Sequence, residues 1–482
     1  MAMRARSFAR VAVLSIAAML VGCTATGDAP RVSRRDAGGG GGTDAGPPPG
    51  SDAGPGFDAG PGFDAGPLPA ADTDLDGISD ADEMARGTDP FNADSDADGV
   101  GDGVEVLAGT DPLSSASTIP PTDFYVVLPY LEPSVRRELE FRARLGRADI
   151  FFLVDTTASM GLAIGNVRSS LSTVIVPAAR DAIADLVMGV GDYRDFPIDP
   201  YGDPGTGGFG PDWPFVLRQS LTSDITAVQT ALGALNAGGG NDEPESGTEG
   251  LFRAVADPCA SPEGGFGAAC FRPDSNPIIV LVSDAHLHNG PTPAYDYAAS
   301  VGARTWSETT AALVANDVRV IGVGVPVFIF PTPVNLGDLN ALATATNSRD
   351  VSGALTVYNA PGGAVSTAVV DGIVDLAGAT TQDISSRRRD DTSDAVDATR
   401  FVVGVTPVRA TRATRFDATT FYGVAGGTQV TFEVEFRNDF LPATDRPQIF
   451  RAYIDVYDIA SDTTVDTRNV YIVVPPLDGI LI

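Results

Sequence analysis

The sequence predicts an α/β protein: a doubly wound parallel sheet at its centre, a β-sandwich after it, and an irregular acidic segment before it. Three observations carry this expectation. Between residues 149 and 377 short apolar runs alternate with helix-like stretches, a pattern that builds a parallel sheet covered on both faces. Over 398–476 strand-like runs follow one another, separated by turn residues at sandwich spacing. Ahead of both, residues 72–113 are dense in aspartate and glycine and offer little to a hydrophobic core.

The first residues in chain order read as targeting rather than fold. Arg4, Arg6 and Arg10 precede the apolar run 11–21, which is too short to span a bilayer. That run ends in Leu20-Val21-Gly22-Cys23, which resembles the lipobox of bacterial lipoproteins. The resemblance implies a signal peptide over 1–22, acylation of Cys23 and, with Thr24 next, an outer-membrane destination in the cell envelope. Residues 23–71 are low in complexity, with Gly-Phe-Asp-Ala-Gly-Pro recurring, and read as a disordered tether.

The 482 residues carry a net charge of −31, and all 32 basic residues are arginine. Such acidity argues against a nucleic-acid partner, which needs a basic footprint to displace counterions. Much of the charge has one address: residues 72–111 hold 13 acids against Arg86 alone, a net −12.

Within that segment two stretches fit D-x-D-x-D-G-x5-E completely. In the first, Asp72, Asp74, Asp76, the Ile78 carbonyl, Asp80 and Glu83 stand at the ligand positions; in the second, Asp94, Asp96, Asp98, Val100, Asp102 and Glu105. Carboxylates at positions 1, 3 and 5, a glycine at 6 for the sharp turn and a bidentate glutamate at 12 make an oxygen-only sphere suited to Ca2+. Gly-Thr-Asp-Pro follows each loop, and no room remains for the long helices of an EF-hand pair. The unit resembles bacterial thrombospondin type 3 repeats over 72–113, which implies a calcium-wrapped stalk.

Two strand-like runs within 120–148 have no sheet nearby in sequence. Runs 150–154, 186–190, 278–282 and 318–325 then read as buried strands, with helices at 169–185, 225–235 and 307–315 between them. Ligands of such sheets gather at the carboxyl ends of the strands. There stand Asp155-x-Thr157-x-Ser159, Asp284 and the acidic run Asn241-Asp242-Glu243-Pro244-Glu245, hard oxygen donors suited to Mg2+ or Mn2+.

These motifs resemble a von Willebrand factor A domain over 149–385, and its integrin β I-like branch in particular: Asp242-Glu243-Pro244-Glu245 is similar to that branch's D-x-P-E, and Ser283-Asp284-Ala285-His286-Leu287-His288 to its T-D-A-x-x-H. The resemblance implies a metal-ion-dependent adhesion site of Asp155, Thr157, Ser159, Glu245 and Asp284, with Thr248 an alternative to Glu245. It implies a neighbouring cation site at Asp195 and Asp242, and a partner protein that fills the open position with a carboxylate. Gly161 and Leu162 stand where the branch has an acidic pair, so a further regulatory calcium site is not expected.

Cys259 and Cys270 flank a Gly/Pro-rich stretch and read as a disulfide staple in an oxidising envelope. Asp284, His286 and His288 alternate along one segment, which opens a second reading as a zinc hydrolase centre. The more economical expectation packs one histidine near the adhesion site and exposes the other. Arg387-Arg388-Arg389 reads as a solvated helix end or linker. The orphan strands of 120–148 would complete the C-terminal sandwich if the A domain is an insertion within it.

Together these readings describe a non-enzymatic, lipid-anchored surface protein for metal-dependent adhesion or protein recognition. An assembly subunit of an envelope complex and the hydrolase stand as alternatives.

Overall fold

The computed structural model describes residues 71–120, 123–206, 210–260, 264–326 and 332–477. The expected signal peptide, Cys23 and the tether up to residue 70 lie outside them.

The acidic segment forms two loops, each running into a seven-residue helix: α1, Asp80–Arg86, and α2, Asp102–Ala108. The sequence left no room for long helices. The structure fits two turns because Gly87 and Gly109 end them in the left-handed conformation, at φ +94° and +79°. Equivalent bonds recur in both units: Asp80 N–H donates to the Ala71 carbonyl, and Asp102 N–H to that of Ala93.

The segment is not a free-standing wire. Val104 of α2 is buried with Tyr471 and Val473 of the sandwich. A Cβ on Gly103 would lie 2.2 Å from the Asp76 carbonyl oxygen and 2.9 Å from Ile449 Cδ1, so only glycine lets this face seat.

The chain then enters the sandwich through β1, Phe124–Val127, and β2, Val135–Ala143. In β2 Leu139, Phe141 and Ala143 are buried while Glu138, Glu140 and Arg142 are exposed, the period-two pattern of a strand with one dry face. After Arg144 the chain leaves for the α/β layers. These comprise β3 (Leu145–Asp155), α3 (Gly161–Ser170), α4 (Val176–Ala182), β4 (Ile183–Tyr193), β5 (Val216–Thr222), α5 (Ile225–Gly233) and α6 (Gly247–Ala256). Beyond them come β6 (Asn276–Ser283), α7 (Trp306–Ala315), β7 (Arg319–Gly324), α8 (Leu336–Ala345), β8 (Val357–Asn359) and α9 (Val365–Ala379).

The sheet order is β5-β4-β3-β6-β7-β8, parallel except for β5 at one edge. Strand β3 shows why helices cover both faces. Its Ile150, Phe152 and Val154 pack with apolar residues of α3, α4, α5 and α9, while Phe151 and Leu153 pack with those of α6, α7 and α8. Burying each such side chain contributes about 1.5–3 kcal/mol.

Two local readings differ from this. The helix expected over 169–185 starts at Gly161 and ends at Ala182, because Ile183 already pairs with Leu145. The antiparallel β5 was not anticipated: only half-buried and carrying Arg218 and Gln219, it lacks the apolar run of its neighbours.

The chain returns through β9 (Thr381–Asp390), β10 (Val402–Ala410), β11 (Arg415–Phe416), β12 (Thr420–Ala425), β13 (Thr428–Phe436), β14 (Gln448–Asp458) and β15 (Thr463–Val474). One sandwich sheet is β1-β15-β14-β9-β12-β11 and the other β10-β13-β2. Leu139 lies opposite Phe432 and Phe141 opposite Val430, so strands from before and after the α/β layers share one sheet. The limits expected for the A domain, 149 and 385, fall inside β3 and β9. Gln382 joins the two crossing points: its Oε1 accepts from Gly146 N–H at 2.8 Å, and its Nε2 donates to the Arg144 carbonyl at 2.5 Å.

Arg387-Arg388-Arg389 is therefore strand, not a helix end or linker. Arg387 pairs with Asp462 at 2.7 Å, Arg389 with Asp455 at 2.9 Å, and Arg388 donates to the Val402 carbonyl. Their partners are remote in sequence, which hid the assignment.

Candidate functional site

Three strand ends build the site. Asp155 ends β3 and the turn after it carries Thr157 and Ser159; Asp195 follows β4; Ser283 ends β6, with Asp284 next. The loop ahead of α6 brings Asp242 and Glu245 to the same edge, where Glu245 bridges to Leu287. A cleft of about 620 Å³ is lined by Thr157, Ser159, Glu245, Asp284, His286 and Tyr295, among others. Glu245 lines it, and Thr248 is buried with its Oγ1, like Glu245 Oε2, without a hydrogen-bond partner.

Hydroxyl groups organise the carboxylates. Thr157 Oγ1 donates to Asp155 Oδ1 at 2.7 Å, Ser283 Oγ to Asp155 Oδ2 at 2.8 Å, and Ser159 Oγ to Asp284 Oδ1 at 3.0 Å. Each donating hydroxyl keeps oxygen lone pairs free for a cation. Asp155 is fully buried, and burial followed by the Asp284 charge pushes its carboxyl above the usual range. Burial, then the charges of Asp155, Asp195 and Asp242, raise Glu245 further, and its buried Oε2 has no hydrogen-bond partner. The site thus crowds buried carboxylates together, an arrangement that a cation would relieve. Mg2+ keeps several of its waters and uses few direct carboxylates, which suits hydroxyl donors with carboxylates behind them.

Ser283 was not singled out for this role, although it adjoins Asp284. Asp338 was missed altogether: its Oδ2 lies 2.9 Å from His286 Nδ1 and accepts from Leu287 N–H at 3.0 Å. Nothing local in the sequence around α8 signals that contact.

The histidines separate. His286 stacks on Tyr295 and turns to Asp338, while His288 Nε2 lies 3.3 Å from both Asp195 and Asp242. Asp284, His286 and His288 therefore do not assemble the zinc centre of the hydrolase reading, since each meets a different partner. Neither ring is exposed, at 19% and 3% of the side chain, so the expectation of one exposed histidine fails. Burial lowers the His288 pKa, but its contacts with Asp195 and Asp242 outweigh that and hold it at about 9.

In the acidic loops Asp72, Asp74 and Asp76 gather in one group, Asp94, Asp96 and Asp98 in another, and Asp76, Glu83 and Asp102 in a third that joins the two units. Both oxygens of Asp74 and Glu83, and one each of Asp96, Asp98 and Glu105, are buried without a hydrogen-bond donor. Burial first, then neighbouring acids, push Asp76 and Glu83 up to about 7; burial raises Glu105 as far, against a hydrogen bond from Thr110. Bare anions at this density fit a cation of high coordination number, as Ca2+ is. Asp80 differs from its expected role: both its oxygens accept from Thr73, closing the loop. Asp102 does the same for Ser95. Ile78 and Val100 hold position 7, their N–H groups donating to Asp76 and Asp98. Cys259 and Cys270 are bonded to each other.

A family model described as the bacterial TSP3 repeat matches residues 72–93 and 94–115. No curated protein matches the chain in sequence. Solved structures that resemble it include a von Willebrand factor type A protein from Catenulispora acidiphila, at 12% identity and TM-score 0.32, over 73% of this chain and 72% of that one. The pilus adhesin SpaC of Lactobacillus rhamnosus GG matches at 14% identity and TM-score 0.34, over 70% of this chain and 45% of its own. The SpRpn10 VWA domain matches at 13% and 0.28, over 45% and 88%. Residues 72–115 are thus bacterial TSP3 repeats, and the fold is mixed α/β with von Willebrand factor A proteins among its structural neighbours.

Proposed function

We propose that the chain is a lipid-anchored envelope protein that recognises a protein partner through a divalent ion, Mg2+ or Mn2+, held by Asp155, Thr157, Ser159, Glu245 and Asp284. The observation that carries this reading is Glu245 Oε2, buried and without a partner beside hydroxyls already committed to Asp155 and Asp284. An ion there supplies the missing positive charge and keeps a coordination position toward the cleft, where a carboxylate of the partner fits. Ca2+ in the TSP3 loops stiffens the segment that carries the domain. The tether and acylated Cys23 hold the whole at the outer membrane.

The test is capture from envelope extract on immobilised chain. Wild type is expected to capture a partner in Mg2+ and release it in EDTA, while Asp155→Ala, folded by circular dichroism, captures none. Capture indifferent to both EDTA and the substitution would sink the reading.

A further inference from the structure

We propose that Asp338 is a positioning residue for the cleft: acting through the short segment 286–288, it fixes the loop that carries Glu245. The proposal rests on the reading of Glu245 as a metal ligand and names what aims it.

Asp155 and Asp284 have hydroxyl donors of their own, whereas Glu245 Oε2 has none. Its aim is left to the backbone that carries it. That backbone is bridged to Leu287: Glu245 N–H donates to the His286 carbonyl and His288 N–H to the Glu245 carbonyl, each at 2.8 Å. Leu287 also seats against the start of α6, where a Cβ on Gly247 would lie 2.5 Å from its Cδ2. So short a bridge is only as firm as the other edge of 286–288.

That edge belongs to Asp338. Its Oδ2 accepts from Leu287 N–H at 3.0 Å and lies 2.9 Å from His286 Nδ1. A carboxylate only accepts, so Nδ1 carries a proton whichever charge the ring has. Tyr295 stacks on the same ring, with centroids 4.3 Å apart, and closes its face. Asp338 is itself buried, with 3% of its side chain exposed, in the first turn of α8. Just ahead of that turn, Asn335 Nδ2 donates to the Ser283 carbonyl at 3.0 Å, next to Asp284. The start of α8 therefore grips the chain twice, at the end of β6 and at the segment bonded to Glu245. Support of the helix dipole is the rival role for a carboxylate in a first turn. That role predicts lost stability with no change in ion affinity.

The probe is Mg2+ alone, titrated into the full chain with the repeats filled by Ca2+ and with Asp155→Ala as the blank. Asp338→Ala should weaken Mg2+ about tenfold or more, as loss of a group that orients a metal ligand does. Amide hydrogen exchange should quicken at Glu245 and His288 and stay unchanged at Thr157, whose N–H is held by Asp155. Asp338→Asn keeps a carbonyl oxygen for Leu287 N–H and should recover most of the affinity. Unchanged Mg2+ affinity in a folded Asp338→Ala overturns the proposal. So does weaker affinity with no change at the Glu245 and His288 amides. If Asp338→Ala fails to fold by circular dichroism, His286→Phe replaces it in the same measurements, since a phenyl ring can stay on Tyr295 while Asp338 loses its imidazole. Wild type that binds no more Mg2+ than the blank sinks the metal reading itself, and this proposal with it.

Discussion

The acidic repeats and the cleft above the parallel sheet are both crowded with carboxylates, and they relieve the crowding in opposite ways. In the repeats the buried oxygens of Asp74 and Glu83 meet other acids and no donor. In the cleft Thr157, Ser283 and Ser159 donate to Asp155 and Asp284. An unpaired buried charge is costly, so a bound cation should stabilise the first arrangement most. In the second, hydroxyl groups hold Asp155 and Asp284, while Glu245 Oε2 is buried without a hydrogen-bond partner. Under the proposed function, the contrast would separate an ion that builds structure from one that exchanges with a ligand.

The strongest way to break this contrast is to remove calcium. A chelator that strips Ca2+ should cost about 3 kcal/mol or more, the linkage expected when free ion exceeds Kd a hundredfold. Scanning calorimetry should show a fall of roughly 5–10 °C in Tm, and an unchanged Tm would refute a structural role. Gly103→Ala should come next, at about 1–3 kcal/mol, because the added methyl meets the Asp76 carbonyl at 2.2 Å. Denaturant melts with and without Ca2+ check this, and a stable variant would mean that the repeats do not seat on Ile449.

A pH titration of the calcium-free chain sharpens the comparison further. Asp76, Glu83 and Glu105 are raised to about 7, so between their unfolded values near 4 and pH 7 the native state binds more protons than the unfolded one. Stability should therefore decline as pH rises through that window, and saturating Ca2+ should remove the slope. A calcium-free chain that gains stability over the same window contradicts the assignment. The smallest effect belongs to Ser159→Ala. Its exposed side chain changes stability by less than about 0.5 kcal/mol, yet Mg2+ titration should show weakened binding.

The same contrast explains what the sequence disclosed. The repeats are written locally: every acid of a group lies within one loop or its neighbour, so spacing alone locates Asp72 to Glu105. The double winding was legible for a similar reason, since the uninterrupted apolar runs of β3 and β6 announce strands buried on both faces. The cleft was legible only through the short motifs around Asp155, Glu245 and Asp284. Contacts made across the fold left no trace. Asp338 reaches His286 from 52 residues away, and Arg389 finds Asp455 from 66, with nothing periodic in between. Sequence could place one histidine near the cleft but not name its acids: only the alternative hydrolase reading paired His288 with Asp284, whereas folding delivered Asp195 and Asp242.

Gln382 has a mechanical meaning. The α/β layers are rooted in the sandwich by two covalent strands, at Arg144 and Thr380, and one amide side chain laces the roots together. A load applied to the α/β layers is therefore shared between two backbone connections instead of twisting about one. Swivelling the layers on the sandwich requires tearing that amide from Arg144 and Gly146 of the entering connection, two hydrogen bonds at once.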